Sequence, residues 1–286
     1  MIPKELATLL SHTARRAIAL TPTAAQVHHD LYASKIGGVP YFPKDALYPT
    51  NDDGVPLALL AQLNLSDIFK DAELLSACEQ DAALKHLPKS GMLSFFYDIT
   101  DDLMGLDLEK TGRGNGSAVH YFTEILPESA LTQVPFEALR SHIQDDNADD
   151  YGALSIDQAV GLTASIKETL YELESESFGN PEIEAFKTAL EAYTESLEDE
   201  DEEESVMMAI YDAVDAANYG HAVGGYPNFT QFDPRERAQN QQFLLLQIDS
   251  IGDVLIGDCG SIQFFMTMEA LEQRDFNHVL YDWACG

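Results

Sequence analysis

Short apolar runs broken by a single amide recur along this chain. Leu59 to Leu65 reads LLAQLNL and Leu244 to Asp249 reads LLLQID. Both are bounded by turn formers, a pattern that predicts strands covered on two faces rather than one. The aromatic and β-branched runs LSFFY (from Leu93) and IQFFM (from Ile262) predict two more strands. Ser117 to Ile125 alternates well enough for another, and Val279 to Trp283 for a short closing strand. Helical spacing governs other segments. Leu6, Leu9, Leu10, Thr13, Ala17 and Leu20 predict an amphipathic helix over Met1 to Leu20. Ile156, Ala159, Val160, Ala164, Ile166, Leu170 and Leu173 predict one over Ser155 to Leu173. Pro181 to Leu197 opens with proline after Asn180, and Val206 to Ala217 follows an acidic run, Glu198 to Glu204, that reads as a solvated helix start or a loop.

Three phrases occur twice, in the same order. Gly37-Gly38-Val39-Pro40-Tyr41-Phe42 matches Gly224-Gly225-Tyr226-Pro227-Asn228-Phe229; the Gln62 run matches the Gln247 run; and Gly91 to Phe96 matches Gly260 to Phe265. The copies lie 187, 185 and 169 residues apart, the last interval shortened because only the first copy carries an inserted helix before its Phe-Phe strand. Two copies and no more imply a duplication rather than a solenoid. The glycines permit positive φ and the proline stiffens the loop that follows. The expected fold is α+β: one domain over 1–286, with a first β-rich repeat at 30–130, an acidic helical insertion at 145–217, a second β-rich repeat at 220–286, and pseudo-twofold symmetry. Gln62 and Gln247 are expected inside apolar strands, where an amide needs partners for oxygen and nitrogen alike. Each is expected either to clamp its own Gly-Gly-x-Pro loop or to face a cleft shared by the two repeats.

Charge narrows the function classes. With 16 basic and 49 acidic residues, the chain carries −33. Such a surface repels phosphate backbones and anionic bilayers, so neither nucleic acid nor membrane is an expected partner. From Asp145 to Asp215 there are 22 acids against Lys167 and Lys187 alone, and that segment is expected to attract a basic protein. No apolar run approaches the ~20 residues of a spanning helix, and Arg15-Arg16 argues against a signal peptide. Cys78, Cys259 and Cys285 are odd in number and lack C-x-x-C spacing, which fits small buried side chains in a reducing cytoplasm.

Taken together, GGVPYFPKD, DDGVPLALLAQLNL, GMLSFFYD, GGYPNFTQFDPR, LLLQID and GDCGSIQFF resemble the YwqG-like family, a bacterial family of unknown function. The likeness runs from Tyr32 to Phe96 and from Gly220 to Trp283. It implies a cytoplasmic α+β protein with a duplicated β-rich unit, and implies nothing for the acidic middle.

Candidate chemistry is sparse. Asp233-Pro234-Arg235, preceded by Thr230 and Gln231, stiffens a loop around an Arg that can grip a carboxylate or phosphate, or simply pin the loop against Asp233. TGRGNGS, from Thr111 to Ser117, lacks the lysine and spacing of a phosphate cradle and predicts a hairpin loop with Arg113 exposed. His28-His29-Asp30 has no second ligand cluster at metal-site spacing, and a Cys259–His221 nucleophile is the weakest candidate. Neither a metal nor a cofactor is expected. Two readings stand: a non-catalytic acidic protein that binds a basic partner, regulatory or toxin-neutralising in type, and a binder or enzyme for a small polar ligand, with Gln62, Gln247, Thr230, Gln231, Asp233 and Arg235 lining the cleft between repeats.

Overall fold

The computed structural model describes residues 1–107, 116–132, 139–141, 153–154, 156–173, 175–238 and 240–286. The loop expected around Arg113 lies outside the described residues, apart from Gly116 and Ser117 at its end. The strands are β1 (Arg15–Thr23), β2 (Lys35–Gly37), β3 (Ala58–Asn64), β4 (Met92–Tyr97), β5 (Ser117–Phe122), β6 (Ala159–Thr169), β7 (Ala222–Gly224), β8 (Phe243–Asp249), β9 (Ser261–Met266) and β10 (Leu280–Ala284). The α-helices whose full extent lies among the described residues are α1 (Lys4–His12), α2 (Leu65–Ile68), α3 (Ala72–Gln80), α4 (Pro181–Glu195), α5 (Glu200–Asn218) and α6 (Met268–Gln273). The fold is α+β.

The described strands form one antiparallel sheet, ordered β10-β9-β8-β7-β1-β6-β2-β3-β4-β5. It curls into a near-barrel. Flat, at about 4.8 Å per strand, β9 and β4 would stand roughly 34 Å apart, yet Phe95 of β4 and Phe264 of β9 meet at 5.1 Å between ring centroids. Tyr281 Oη of β10 donates to Met104 O at 2.8 Å, and Trp283 Nε1 to Leu103 O at 2.5 Å, tying the two ends together. The main core fills the concave side with Leu63, Leu93, Phe95, Leu246, Ile248, Ile262, Phe264 and their neighbours.

β3 and β8 are buried at every position. One face of each meets the main core; the other lies under the loop that follows β2 or β7, which explains why both sequences are continuously apolar. Each strand also carries a bulge, between Leu59 and Ala61 in β3 and between Leu244 and Leu246 in β8.

Two expected helices are replaced wholly or in part by strands. The N-terminal helix stops at His12; Thr13 Oγ1 turns back to Leu10 O, and β1 begins two residues later. Pro22 and the β-branched Ile18, Thr21 and Thr23 suit a strand and oppose a continuing helix. The segment expected to be helical over Ser155 to Leu173 instead contributes β6 to the middle of the sheet, paired with β1 from Arg15–Thr169 to Thr23–Gly161. Val160, Leu162, Ala164 and Ile166 face the main core at period two, a repeat equally present in the sequence.

α1, α4 and α5 enclose a second core of Leu6, Leu10, Ile183, Phe186, Val206, Ile210 and Val214, with Tyr171 and Tyr226. Asn180 caps α4 with Pro181 in its first turn, and Asp199 caps α5. The acidic run is therefore the first turn of α5, where the positive end of the helix dipole favours carboxylates.

Candidate functional site

The polar groups that interrupt the apolar strands lie on the face turned away from the main core. Gln62 is fully buried. Its Oε1 accepts from Tyr41 N at 2.8 Å, directly after Pro40, and its Nε2 donates to Leu31 O and Ala33 O at 3.0 and 2.8 Å. Gln247 is equally buried; its Oε1 accepts from Asn228 N at 2.8 Å, directly after Pro227, and its Nε2 donates to Asn218 O and Gly220 O at 3.3 and 3.1 Å. Each amide thus clamps the loop beyond its own Gly-Gly-x-Pro phrase. Tyr41 and Asn228 are 187 positions apart, as are Leu31 and Asn218, and Ala33 and Gly220. Gly37, Gly38, Gly224 and Gly225 all have φ between 69° and 76°. A Cβ on Gly225 would lie 2.5 Å from Thr169 Oγ1 and 2.9 Å from Ala17 Cβ, so this loop also needs glycine to approach the sheet.

One further pair of side chains follows the same geometry. Asn64 N donates to Ser34 Oγ at 2.9 Å, and Asp249 N donates to His221 Nδ1 at 3.0 Å. The first half is neutral at these positions; the second is titratable. Asp249 Oδ2 accepts from Gly220 N at 2.7 Å and from Gln247 Nε2 at 3.2 Å. Burial pushes its carboxyl up to about 7, against the pull of these donors and of Lys167. Lys167 Nζ donates to Asn218 O and Tyr219 O, both at 3.1 Å, and burial lowers its ammonium. Burial and Lys167 push His221 down to about 4, so the ring is neutral, its proton on Nε2, which has no hydrogen-bond partner among the described residues. In the first half a buried cation does related work from another position: Lys35 Nζ donates to the carbonyls of Val27, His28, Asp30 and Val39, and burial lowers it to about 8.

Asp233 and Arg235 form a buried pair. The guanidinium donates to both carboxylate oxygens, the closest contact being Nη2 to Oδ2 at 2.7 Å, and Asp233 Oδ2 also accepts from Glu176 N. Phe178, Phe229 and Phe265 surround Arg235 with ring centroids at 5.1 to 5.3 Å. This is an interior pin rather than a surface ion pair. Thr230 and Gln231 are exposed, and Gln231 Nε2 donates to Cys285 O. The six residues expected to line one cleft are therefore distributed: Gln62 and Gln247 sit five strands apart in the sheet order, each under its own loop, and the loop residues divide between surface and interior.

Cys78 is buried as expected, whereas Cys259 is exposed and Cys285 half-buried. Among the described residues, no three His, Cys, Asp or Glu side chains converge as a metal site would require. Lys35 belongs to none of the sequence motifs, Asp249 enters them only as the last residue of LLLQID, and Lys167 stands out in the sequence only as one of two bases in the acidic segment. A signal for Asp249 was present: it stands two residues after Gln247, as Asn64 does after Gln62, and period two puts both on the clamp face.

A family model described as a domain of unknown function (DUF1963) matches residues 34–285. No curated protein matches the chain.

Proposed function

The chain belongs to the DUF1963 family, a domain of unknown function, and from that premise we propose that it is a non-catalytic interaction protein that binds a basic protein partner through its acidic helical surface, in a regulatory or toxin-neutralising role. The observation that carries this reading is the outward surface of α4 and α5. All 13 acidic residues between 181 and 218 are exposed, against one basic residue, Lys187. A one-signed surface of this density raises the capture rate of an oppositely charged partner and loses that advantage as salt screens it. The alternative, a polar ligand held between repeats, draws less support, because the Gln62, Gln247, Asp233 and Arg235 side chains are engaged by the chain itself.

The same reading includes a history and a setting. Two copies of one β-rich unit, related by a pseudo-dyad between β1 and β6, account for the repeated phrases, the matching bulges and the amide clamps 187 positions apart. The motif set resembles that of the YwqG-like proteins, and three cysteines outside any disulfide suit a reducing cytoplasm.

The test is affinity capture from native lysate at low and high salt, beside a variant with Glu200, Glu202, Glu203 and Glu204 changed to Gln. The expected result is enrichment of strongly basic proteins at low salt, lost at high salt and reduced for the variant. Should no basic protein be enriched at either salt concentration, the proposal fails.

A further inference from the structure

We propose that the outward stripe of α5 is the docking line for a basic amphipathic helix, an inference that rests on the acidic-partner reading above. Large apolar side chains are rarely exposed among the described residues, yet three fall here: Met208 at 57 %, Tyr211 at 38 % and, just past the helix end, Tyr219 at 50 %. At about 100° per residue Met208 and Tyr211 lie within one narrow sector of the helix, opposite the Val206, Ile210 and Val214 row that packs into the second core, and Tyr219, whose Oη donates to Ser250 O at 2.8 Å, follows at the C-cap. Glu204, Asp212 and Asp215 share that outward sector, so carboxylates and apolar groups alternate along it.

An acidic face alone would attract any polycation. The apolar groups add a requirement, because they leave water only against a partner that brings its own apolar row. Met208 to Tyr219 spans about 16 Å at 1.5 Å per residue, or three turns of a partner helix. Methionine and tyrosine suit the role: one adapts its shape, and the other offers area at low entropic cost. Anchors three or four residues apart, flanked by lysines or arginines, are the complementary pattern.

The test uses two synthetic peptides of equal length and charge, one a Lys/Leu amphipathic helix and the other a Lys/Gly chain, titrated calorimetrically into wild type and into a Met208→Ser/Tyr211→Ser variant. Amide shifts over 200–219 locate the contact, and melting temperatures check that the exposed substitutions leave the fold intact. The expected result is one-to-one binding of the Lys/Leu peptide, weakened by roughly tenfold or more in the variant, with weaker Lys/Gly binding that the substitutions do not change. If the two peptides bind wild type alike, or the variant binds the Lys/Leu peptide as tightly as wild type does, the stripe is not the docking line, although the acidic-partner reading stands. If neither peptide binds at low salt, both proposals fall.

Discussion

Asp249 is a carboxylate where the first half of the chain places an amide. The Asn64 side chain bonds Tyr32 O and Asp67 N without a charge; Asp249 bonds Gly220 N and Gln247 Nε2 with a carboxyl that burial holds near 7. A carboxyl raised above its ordinary value binds a proton more tightly in the folded chain than in the unfolded one. Its contribution is therefore fully present below about 4 and is lost as pH rises through about 7. Asp249→Asn keeps an oxygen for Gly220 N and Gln247 Nε2 and removes the ionisation. The variant is expected to match wild type near pH 4 and to melt at a higher temperature at pH 8, the gap opening between those values at up to roughly 1.4 kcal/mol per unit of displacement. Melting curves across that range check this; a gap independent of pH would show that ionisation of Asp249 is not its cause. The pair of Asp233 and Arg235 was visible in sequence as a stiff charged loop. Its burial was not, because the rings of Phe178 and Phe265 that enclose it come from segments that adjacent residues do not reveal.

Among elements, the clamp of strand on loop is the repeated device, and it yields a prediction of equality. Gln62→Leu strands Tyr41 N and two carbonyls; Gln247→Leu strands Asn228 N and Gly220 O, leaves Asn218 O with Lys167 Nζ, and removes one partner each from Asp249 Oδ2 and Gln263 Nε2. Each should cost roughly 1 to 3 kcal/mol per group left without a partner. Urea unfolding should therefore give losses of similar size for both variants, and a large loss for one beside none for the other would break the proposed equivalence. β3, β4, β8 and β9 were legible because their apolar and aromatic runs lie between glycines and other turn formers, and α4 and α5 because their caps and periodicity agree. β1 and β6 were not. Alanine-rich segments such as Ala17 to Leu20 and Ala159 to Ile166 satisfy helical and strand spacing together, and the choice was made by pairing across more than a hundred residues. The acidic start of α5 could be placed only once Asp199 was seen to cap it.

For the whole molecule, the strand order matters more than either half. β1, from the N-terminus, lies beside β7, while β6 lies beside β2, so each half hands its leading strand to the other. Neither half holds a complete sheet. Unfolding is expected to be one cooperative event, with Trp283 fluorescence, which reports on β10, tracking far-UV circular dichroism through a single urea transition. Two separated transitions would contradict this. The same exchange bears on synthesis. Thr23 leaves the ribosome 136 residues before Ala159, and at roughly 5 to 20 residues per second the emerging β1 spends on the order of ten seconds without a strand on either side. Throughout that interval two open backbone edges are available to any neighbouring nascent chain, so the yield of this protein is expected to depend on translation speed and on holdase supply.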